Sequence, residues 1–319
     1  MEEKLYRADL QEYSEKVLET YGVASQSAER EIIRLADEGN SVARKLYADM
    51  LFYGKLVRKE PLTTAFELYR LASDLTIPEN GEEWSVGEHS YPAALWSCAY
   101  YLLDYRRKGV LLKCGEIPCI EKLDIPKRLA LSLRLALLCI SDIPYAGALN
   151  LAGRILQECA AAEETFHSLK AQIKESLAGK KYPTLSFSVG PVSSCAECAE
   201  CAEQFFQAAA EGGYVYACNN LAAMEASRIV RLSDSGESGP ETDKHISHYI
   251  SALSKAADSY EPYAANRLGV FYITGEIQSP EGKAVFRSYV NFGAAKECFR
   301  KACVCPDLFI PFMHRHQSP

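Results

Sequence analysis

The chain has 319 residues, 48% of them hydrophobic and 24% charged, and its formal net charge at pH 7 is −7. This length and apolar content are enough for a large core. The net negative charge argues against general binding to the phosphate backbone of nucleic acids. Because no run of 18 apolar residues occurs, the sequence also predicts no transmembrane helix and no membrane partner.

The first 40 residues are predicted to form an N-terminal helical pair that caps the fold (1–40). Its helices lie in "DLQEYSEKVLETYG" and "SAEREIIRLADEGN". The extreme N-terminus, "MEEKLYRADLQEY", is acidic and amphipathic, unlike a signal peptide. The sequence therefore predicts a cytoplasmic protein.

Five segments then repeat one arrangement of small and apolar residues. Counted from a small residue, the positions four, five and eight residues further on lie on one face of a helix. Five such sets in order indicate a repeated first helix. The sets are Ala43/Tyr47/Ala48/Leu51, Ala94/Cys98/Ala99/Leu102, Gly147/Leu151/Ala152/Ile155, Ala217/Leu221/Ala222/Glu225 and Ala264/Leu268/Gly269/Tyr272.

A second pattern follows each of these five segments. It has an apolar or small residue, a large residue four positions later, and an alanine seven positions later. The two patterns alternate, so the repeated unit is predicted to be a helix–turn–helix hairpin that completes its core by stacking on its neighbours. The second sets are Ala65/Tyr69/Ala72, Leu129/Leu133/Ala136, Ala202/Phe206/Ala209, Tyr249/Leu253/Ala256 and Ala295/Phe299/Ala302.

The stretch "YEPYAANRLGVFYITGEI" shows why stacking is expected. Pro262 suits the first turn of a helix and Gly275 suits the residue just past its end. Gly269 costs about 1 kcal/mol relative to alanine inside a helix. The sequence therefore predicts that another helix approaches closely at Gly269.

These motifs resemble the Sel-one-like repeat family, which is related to tetratricopeptide repeats. "YAANRLGVFYITGEI" is similar to the family's first helix, and "TAFELYRLASD" and "CAEQFFQAAAEGG" to its second; Glu225 replaces the usual aromatic residue. The resemblance implies an all-α, right-handed α-solenoid of about five helix–turn–helix repeats over residues 41–305. In that family the first helices line the concave face. Polar residues beside the packing positions are therefore expected to contact a partner: Asn150, Asn219, Asn220, Asn266 and Arg267.

Long insertions and a short tail complete the predicted organisation. An extra helix, "EETFHSLKAQIKESL", is expected within one insertion, and a flexible acidic loop, "LSDSGESGPETD", forms another. Trp84 is expected to be buried and to hold its insertion in place. Residues 306–319 are interpreted as a tail or a truncated repeat. The insertions are 74–91, 105–126, 160–194, 232–243 and 276–290.

Cysteine and histidine clusters are the candidates for metal binding. The twelve cysteines are predicted to be reduced thiols, as is usual for a cytosolic chain. Cys195, Cys198 and Cys201 in "SSCAECAECAE" are interpreted as packing residues, because three thiols lack a fourth ligand. The spacing in "CVCPDLFIPFMHRH" matches no common zinc finger, although Cys303, Cys305, His314 and His316 form a complete set of ligand types. His245 and His248 are interpreted as partly exposed helix residues. No metal and no cofactor are predicted.

The sequence carries no signature of catalysis. It contains no GxSxG, GxxxxGK[ST], HExxH or GxGxxG motif, so no enzymatic activity and no catalytic residue are predicted. A solenoid favours a scaffold or adaptor that binds a peptide or protein partner on its concave face. Two alternatives stay open: a sensor that responds to a small molecule or zinc, and the repeat domain of a larger regulatory protein.

Overall fold

The computed structural model describes residues 26–52, 62–77, 84–104, 117–141, 145–177, 192–236 and 239–303. Within these ranges the chain is mostly helical. The helices are α1 (Gln26–Asp37), α2 (Ser41–Phe52), α3 (Leu62–Ala72), α4 (Pro92–Asp104), α5 (Pro118–Glu121), α6 (Ile125–Cys139), α7 (Ala146–Ala161), α8 (Glu163–Leu177), α9 (Cys195–Glu211), α10 (Val215–Asp234), α11 (Pro240–Asp258), α12 (Pro262–Thr274) and α13 (Phe292–Cys303).

The predicted helix pairs are present in the structure. The five most extensive contacts between elements join α2 to α3, α4 to α6, α7 to α9, α10 to α11, and α12 to α13. These are the five units that the alternating sequence patterns predict. Successive units also touch through α3 and α4, α6 and α7, α9 and α10, and α11 and α12. Each unit therefore packs mainly on its neighbours in sequence.

The repeated positions form the core of these contacts. Nearly all residues of the two patterns are buried, as the helical spacing predicts. The exceptions are half-buried: Leu221, Tyr272, Phe299 and Ala302. The apolar face of each helix is thus the face that the sequence marks.

Two glycines allow neighbouring helices to approach closely. A Cβ atom at Gly269 in α12 would lie 2.9 Å from the ring of Phe299 in α13. A Cβ atom at Gly153 in α7 would lie 2.7 Å from the ring of Phe206 in α9. Each aromatic ring is the large residue of its unit's second pattern. The close approach predicted at Gly269 is confirmed.

Helix α12 begins and ends at the residues that the sequence marks. The Glu261 side chain accepts hydrogen bonds from the backbone amides of Tyr263 and Ala264, so it caps the first turn, and Pro262 follows it. Gly275 ends the helix in the left-handed conformation, with φ of 71°. A Cβ atom there would lie 2.7 Å from the carbonyl oxygen of Phe286, so a side chain would both strain the backbone and collide with it.

The prediction of a mostly helical chain is confirmed for the described residues, and two of the predicted insertions add short antiparallel hairpins. Strands β1 (Leu75–Thr76) and β2 (Ser85–Val86) pair within 74–91, and β3 (Glu276–Ser279) pairs with β4 (Gly282–Val285) within 276–290. Strands β1 and β2 are too short to show the alternation that identifies a strand, and in each of β3 and β4 only one residue is buried. A short 3₁₀-helix, Arg287–Tyr289, follows β4.

The other insertions are partly described. The extra helix expected in 160–194 is present as α8, and Trp84 is buried as expected. The loop expected over 232–243 is shorter than predicted, because α10 continues to Asp234 and α11 begins at Pro240. Predictions for residues 1–25, for 105–116, and for the tail 306–319 lie outside the described residues. No described helix is long and apolar enough to cross a membrane.

Candidate functional site

Three of the predicted contact residues link helices of neighbouring units. Asn220 in α10 donates a hydrogen bond from Nδ2 to Oδ1 of Asn150 in α7, at 2.7 Å. Asn219 donates from Nδ2 to Oε2 of Glu261, the residue that caps α12, at 2.9 Å. Asn150 is buried, and Asn219 and Asn220 are half-buried. The binding of a partner by these three asparagines stays a prediction.

The remaining two predicted residues lie on α12. Asn266 is exposed. Arg267 is half-buried; its guanidinium carbon lies 5.3 Å from the ring centroid of Tyr249, and its Nη2 donates to the carbonyl oxygen of Gln278 at 3.1 Å. Arg267 therefore ties α12 to α11 and to β3. Asn220 and Arg267 each lie three residues after the first small residue of their set, Ala217 and Ala264. Asn220 nevertheless bonds a side chain, whereas Arg267 bonds a backbone carbonyl.

Asn266 belongs to an exposed stripe of α12, which we define as Tyr263, Asn266, Val270 and Ile273. The spacing of three, four and three residues keeps these side chains on one side of the helix. The exposed fractions of Tyr263, Val270 and Ile273 are 40%, 42% and 43%. The opposite side of α12 carries its buried residues, including Ala265 and Leu268. Helix α12 is therefore apolar on both sides.

Exposed apolar side chains are concentrated around this stripe. Nine large hydrophobic residues are exposed among the described residues, and six of them lie between residues 260 and 292. Tyr260 lies two residues before the start of α12, and Phe292, at 70% exposure, begins α13. Clusters of this kind mark interaction surfaces more often than isolated exposed residues do.

A second feature is a groove between α9 and α11, with α10 at its floor. It encloses a cavity of about 480 Å³. Leu221 and Ala252 supply apolar surface, and charged side chains line much of the rest. At the far end, Lys255 donates from Nζ to the carbonyl oxygen of Ala210, near the C-terminal end of α9.

The charged wall of the groove is organised by Arg228. Its Nη1 donates to Oε1 of Glu203 and to Oε1 of Glu225, both at 2.9 Å, and its Nη2 donates to Oε2 of Glu203 at 2.5 Å. These hydrogen bonds from the guanidinium hold the pKa of the Glu203 carboxyl below its usual value, and burial opposes the shift. Hydrogen bonding to Glu203 in turn raises the pKa of Arg228. Glu225 is only 5% exposed.

Two histidines of α11 face the same carboxylate. His245 Nδ1 lies 2.6 Å from Oε2 of Glu225, and His245 Nε2 lies 3.3 Å from Oε1 of Glu241. His248 Nδ1 lies 3.9 Å from Oε1 of Glu225. His245 is largely buried, whereas 56% of the His248 side chain is exposed. The expectation of partly exposed helix residues therefore fits His248 better than His245.

The cysteine cluster of α9 has the environment expected of packing residues. Cys198 and Cys201 are buried, and desolvation raises the pKa of each thiol to about 12. Thiols that stay protonated at neutral pH are weak nucleophiles and weak metal ligands. All three cysteines of α9 are free thiols. Of the C-terminal cluster, Cys303 is exposed, and Cys305, His314 and His316 lie outside the described residues.

The sequence patterns missed the charged wall, although they contained one signal for it. Glu225 occupies the last position of a first-helix set, where the other four sets carry leucine, isoleucine or tyrosine. A carboxylate at a buried position requires partners. Arg228 and His245 are those partners, and Arg228 also bonds Glu203. All three residues lie at positions that the repeat patterns leave unmarked.

Comparisons with known proteins leave the family open. No family model and no curated protein matches the sequence. One matching solved structure is a protective antigen present in uropathogenic Escherichia coli strains that displays an SLR fold. It is 17% identical, the match covers 86% of this chain and 56% of that chain, and the TM-score is 0.29. This chain therefore matches little more than half the length of that protein. At this TM-score the likeness supports no conclusion about fold or function, so the Sel-one-like resemblance stays a prediction.

Proposed function

We propose that this protein is a non-catalytic helical-repeat scaffold, a right-handed α-solenoid, that binds a protein or peptide partner. The stacking of each helix pair on its neighbours in sequence supports the solenoid. The exposed stripe of α12 supports binding and is the observation on which the proposal depends. The stripe includes Asn266, one of the residues that the sequence predicts as contacts, and a second such residue, Arg267, is its neighbour in sequence.

The partner segment that best fits the stripe is an amphipathic helix. The apolar members of the stripe, Tyr263, Val270 and Ile273, are seven and three positions apart, which keeps them on the one side that a helix can present to another helix. Asn266, in the middle of the stripe, can both donate and accept a hydrogen bond and so can fix the register of the bound helix. Apolar groups supply most of the binding free energy, because burying them removes their surface from water.

Introducing negative charges into the exposed stripe tests this function. Changing Val270 and Ile273 together to glutamate is expected to weaken binding of the main partner by at least about 30-fold, which corresponds to about 2 kcal/mol. The measurement is quantitative capture of interacting proteins by immobilised wild-type and variant chains, followed by titration of the partner that is captured most strongly. Circular dichroism and the melting temperature report whether the variant keeps its fold.

Ile125→Glu is the matched control, because Ile125 is 58% exposed and lies in α6, away from the stripe. The control is expected to capture the same partner as the wild type does. Equal binding by all three chains would show that the stripe is not the binding surface. The predicted polar contacts Asn150, Asn219 and Asn220 would then be the next residues to replace.

A further inference from the structure

Three side chains with metal-ligand atoms converge at the wall of the groove. One ring nitrogen of His245, one ring nitrogen of His248 and a carboxylate oxygen of Glu225 lie within 4.8 Å of one another. We propose that Glu225, His245 and His248 form a binding site for a divalent transition-metal ion of the zinc type. This site lies on α10 and α11, apart from the stripe of α12, and does not depend on the proposed scaffold function.

The separations of the donor atoms are compatible with such an ion. Two ligands of a tetrahedral zinc ion lie about 3.3 Å apart when each bond is about 2.0–2.1 Å long. The distance from Glu225 Oε2 to His245 Nδ1 is 2.6 Å, and the distance from Glu225 Oε1 to His248 Nδ1 is 3.9 Å. One distance is shorter than the ideal and the other is longer. The two distances end at different oxygens of Glu225, so one carboxylate lies within reach of both imidazoles.

Neighbouring side chains supply the second layer that metal sites require. Oε1 of Glu241 lies 3.3 Å from His245 Nε2, so it can accept a hydrogen bond from the N–H of that nitrogen and leave Nδ1 free to bind a metal. Arg228 donates to Oε1 of Glu225 and so orients its carboxylate. Lys244 lies 3.7 Å from Glu241 and restrains that side chain in turn.

The charges around the cluster favour a cation. Glu203 and Glu225 share one guanidinium, that of Arg228, and Glu225 directs its Oε2 toward His245. With Nε2–H of His245 donated to Glu241, a neutral imidazole would place a lone pair of Nδ1 against a carboxylate oxygen. Either a proton or a metal ion relieves that repulsion. A metal ion also uses His248, whose Nδ1 approaches the same carboxylate.

The ligand types select the kind of metal. Two imidazoles and one carboxylate suit zinc, copper, nickel or iron, whereas magnesium and calcium prefer oxygen ligands. Three protein ligands leave at least one coordination position open. Because all three side chains line the groove, that position would face the cavity and could take water or a donor atom of a bound ligand.

Cobalt(II) substitution provides the sharpest test, because its spectrum distinguishes nitrogen and oxygen ligands from sulfur. The wild-type chain is expected to bind one equivalent of Zn²⁺, and Co²⁺ at that site is expected to show weak visible bands without the sulfur-to-cobalt charge transfer of a thiolate site. Glu225→Gln and His248→Gln are expected to lose this binding. His248 is exposed, so its variant tests the site without disturbing the core.

His167→Gln is the matched control, since His167 is an exposed histidine that lies beside a glutamate four residues away in α8. It is expected to bind the metal as the wild type does. Glu241→Gln is expected to weaken metal binding about 10- to 100-fold, as loss of a second-layer partner does. Binding that persists in both ligand variants, sulfur charge transfer in the cobalt spectrum, or no binding at low micromolar metal would each overturn the proposal.

Discussion

Replacing Gly269 with leucine is expected to lower the free energy of unfolding by about 1–3 kcal/mol. Even a Cβ atom at Gly269 would lie 2.9 Å from the ring of Phe299, so a full side chain must displace α13 or force Phe299 out of its position. Leucine is a better helix former than glycine by about 1 kcal/mol, which offsets part of the loss. Urea denaturation measures the remaining difference.

Two further variants show whether the close helix contact is the cause. Gly293→Leu makes the same substitution at an exposed position of α13, where no close contact opposes the gain in helix propensity, and is expected not to lower stability. Phe299→Ala, combined with Gly269→Leu, makes room for the new side chain, so the two losses should be less than additive. Full additivity, or equal stability of the Gly269 and Gly293 variants, would refute the packing of α12 on α13.

Replacing Arg228 with glutamine is expected to cost about 1–3 kcal/mol at pH 7, because it leaves Glu203 and the buried Glu225 without their shared guanidinium. Water still reaches part of the pair: 28% of the Arg228 side chain and 22% of the Glu203 side chain are exposed. Solvent screening therefore keeps the loss below that of a fully buried ion pair.

The pH dependence of this loss has a defined sign. In the folded state, Arg228 lowers the pKa of the Glu203 carboxyl. The stabilisation by this ion pair is therefore complete above the pKa of glutamate in the unfolded chain, about 4.3. It disappears as the pH falls through the lower pKa that Glu203 has in the folded chain. The difference in stability between the wild type and Arg228→Gln should therefore narrow below about pH 4. The melting temperatures of the two chains at pH 7 and below about pH 4 measure this difference in stability.

Arg300→Gln is the control for the ion pair. Arg300 pairs with Glu297 three residues earlier, as Arg228 pairs with Glu225, but both members of that pair are largely exposed to water. Its melting temperature is expected to stay close to that of the wild type at pH 7. An equal loss of stability in the two arginine variants would contradict the larger contribution of the partly buried Arg228 ion pairs.

The helix pairs could be predicted because two independent constraints act on the same residues. A helix that packs on both its partner and the next unit needs small residues at fixed spacing, and Ala217, Ala264 and Gly269 show that constraint directly in the sequence. The spacing of 3.6 residues per turn then identifies the buried face. The same physics explains why α8 could be read from its own apolar periodicity.

The hairpins and the helix ends around residue 236 could not be predicted in the same way. In β3 and β4, Ile277 pairs with Ala284, and only these two residues of the strands are buried. Their burial depends on tertiary packing against α10, which no local pattern encodes. The stretch 232–243 is polar, yet tertiary packing in α11 buries Thr242 and so extends the helix into it.

The candidate sites illustrate the limit of reading one helix at a time. The predicted amides of Asn150 and Asn220 meet across two units that are 70 residues apart in sequence. Glu225 is unusual for its position, but its partner His245 lies on another helix. Sequence periodicity indicates which face of a helix is buried. It does not indicate which polar residues of two helices will meet.

Site-specific photo-crosslinking tests most directly whether the exposed stripe of α12 is a protein-binding surface. A photoreactive phenylalanine analogue replaces Asn266, in the middle of the stripe, and in a second chain replaces Ser168, an exposed residue of α8. If the stripe is the binding surface, irradiation joins one discrete partner to the chain labelled at Asn266 and none to the chain labelled at Ser168. Adducts that are identical at both positions, or none at Asn266 while the partner is still captured, would contradict it.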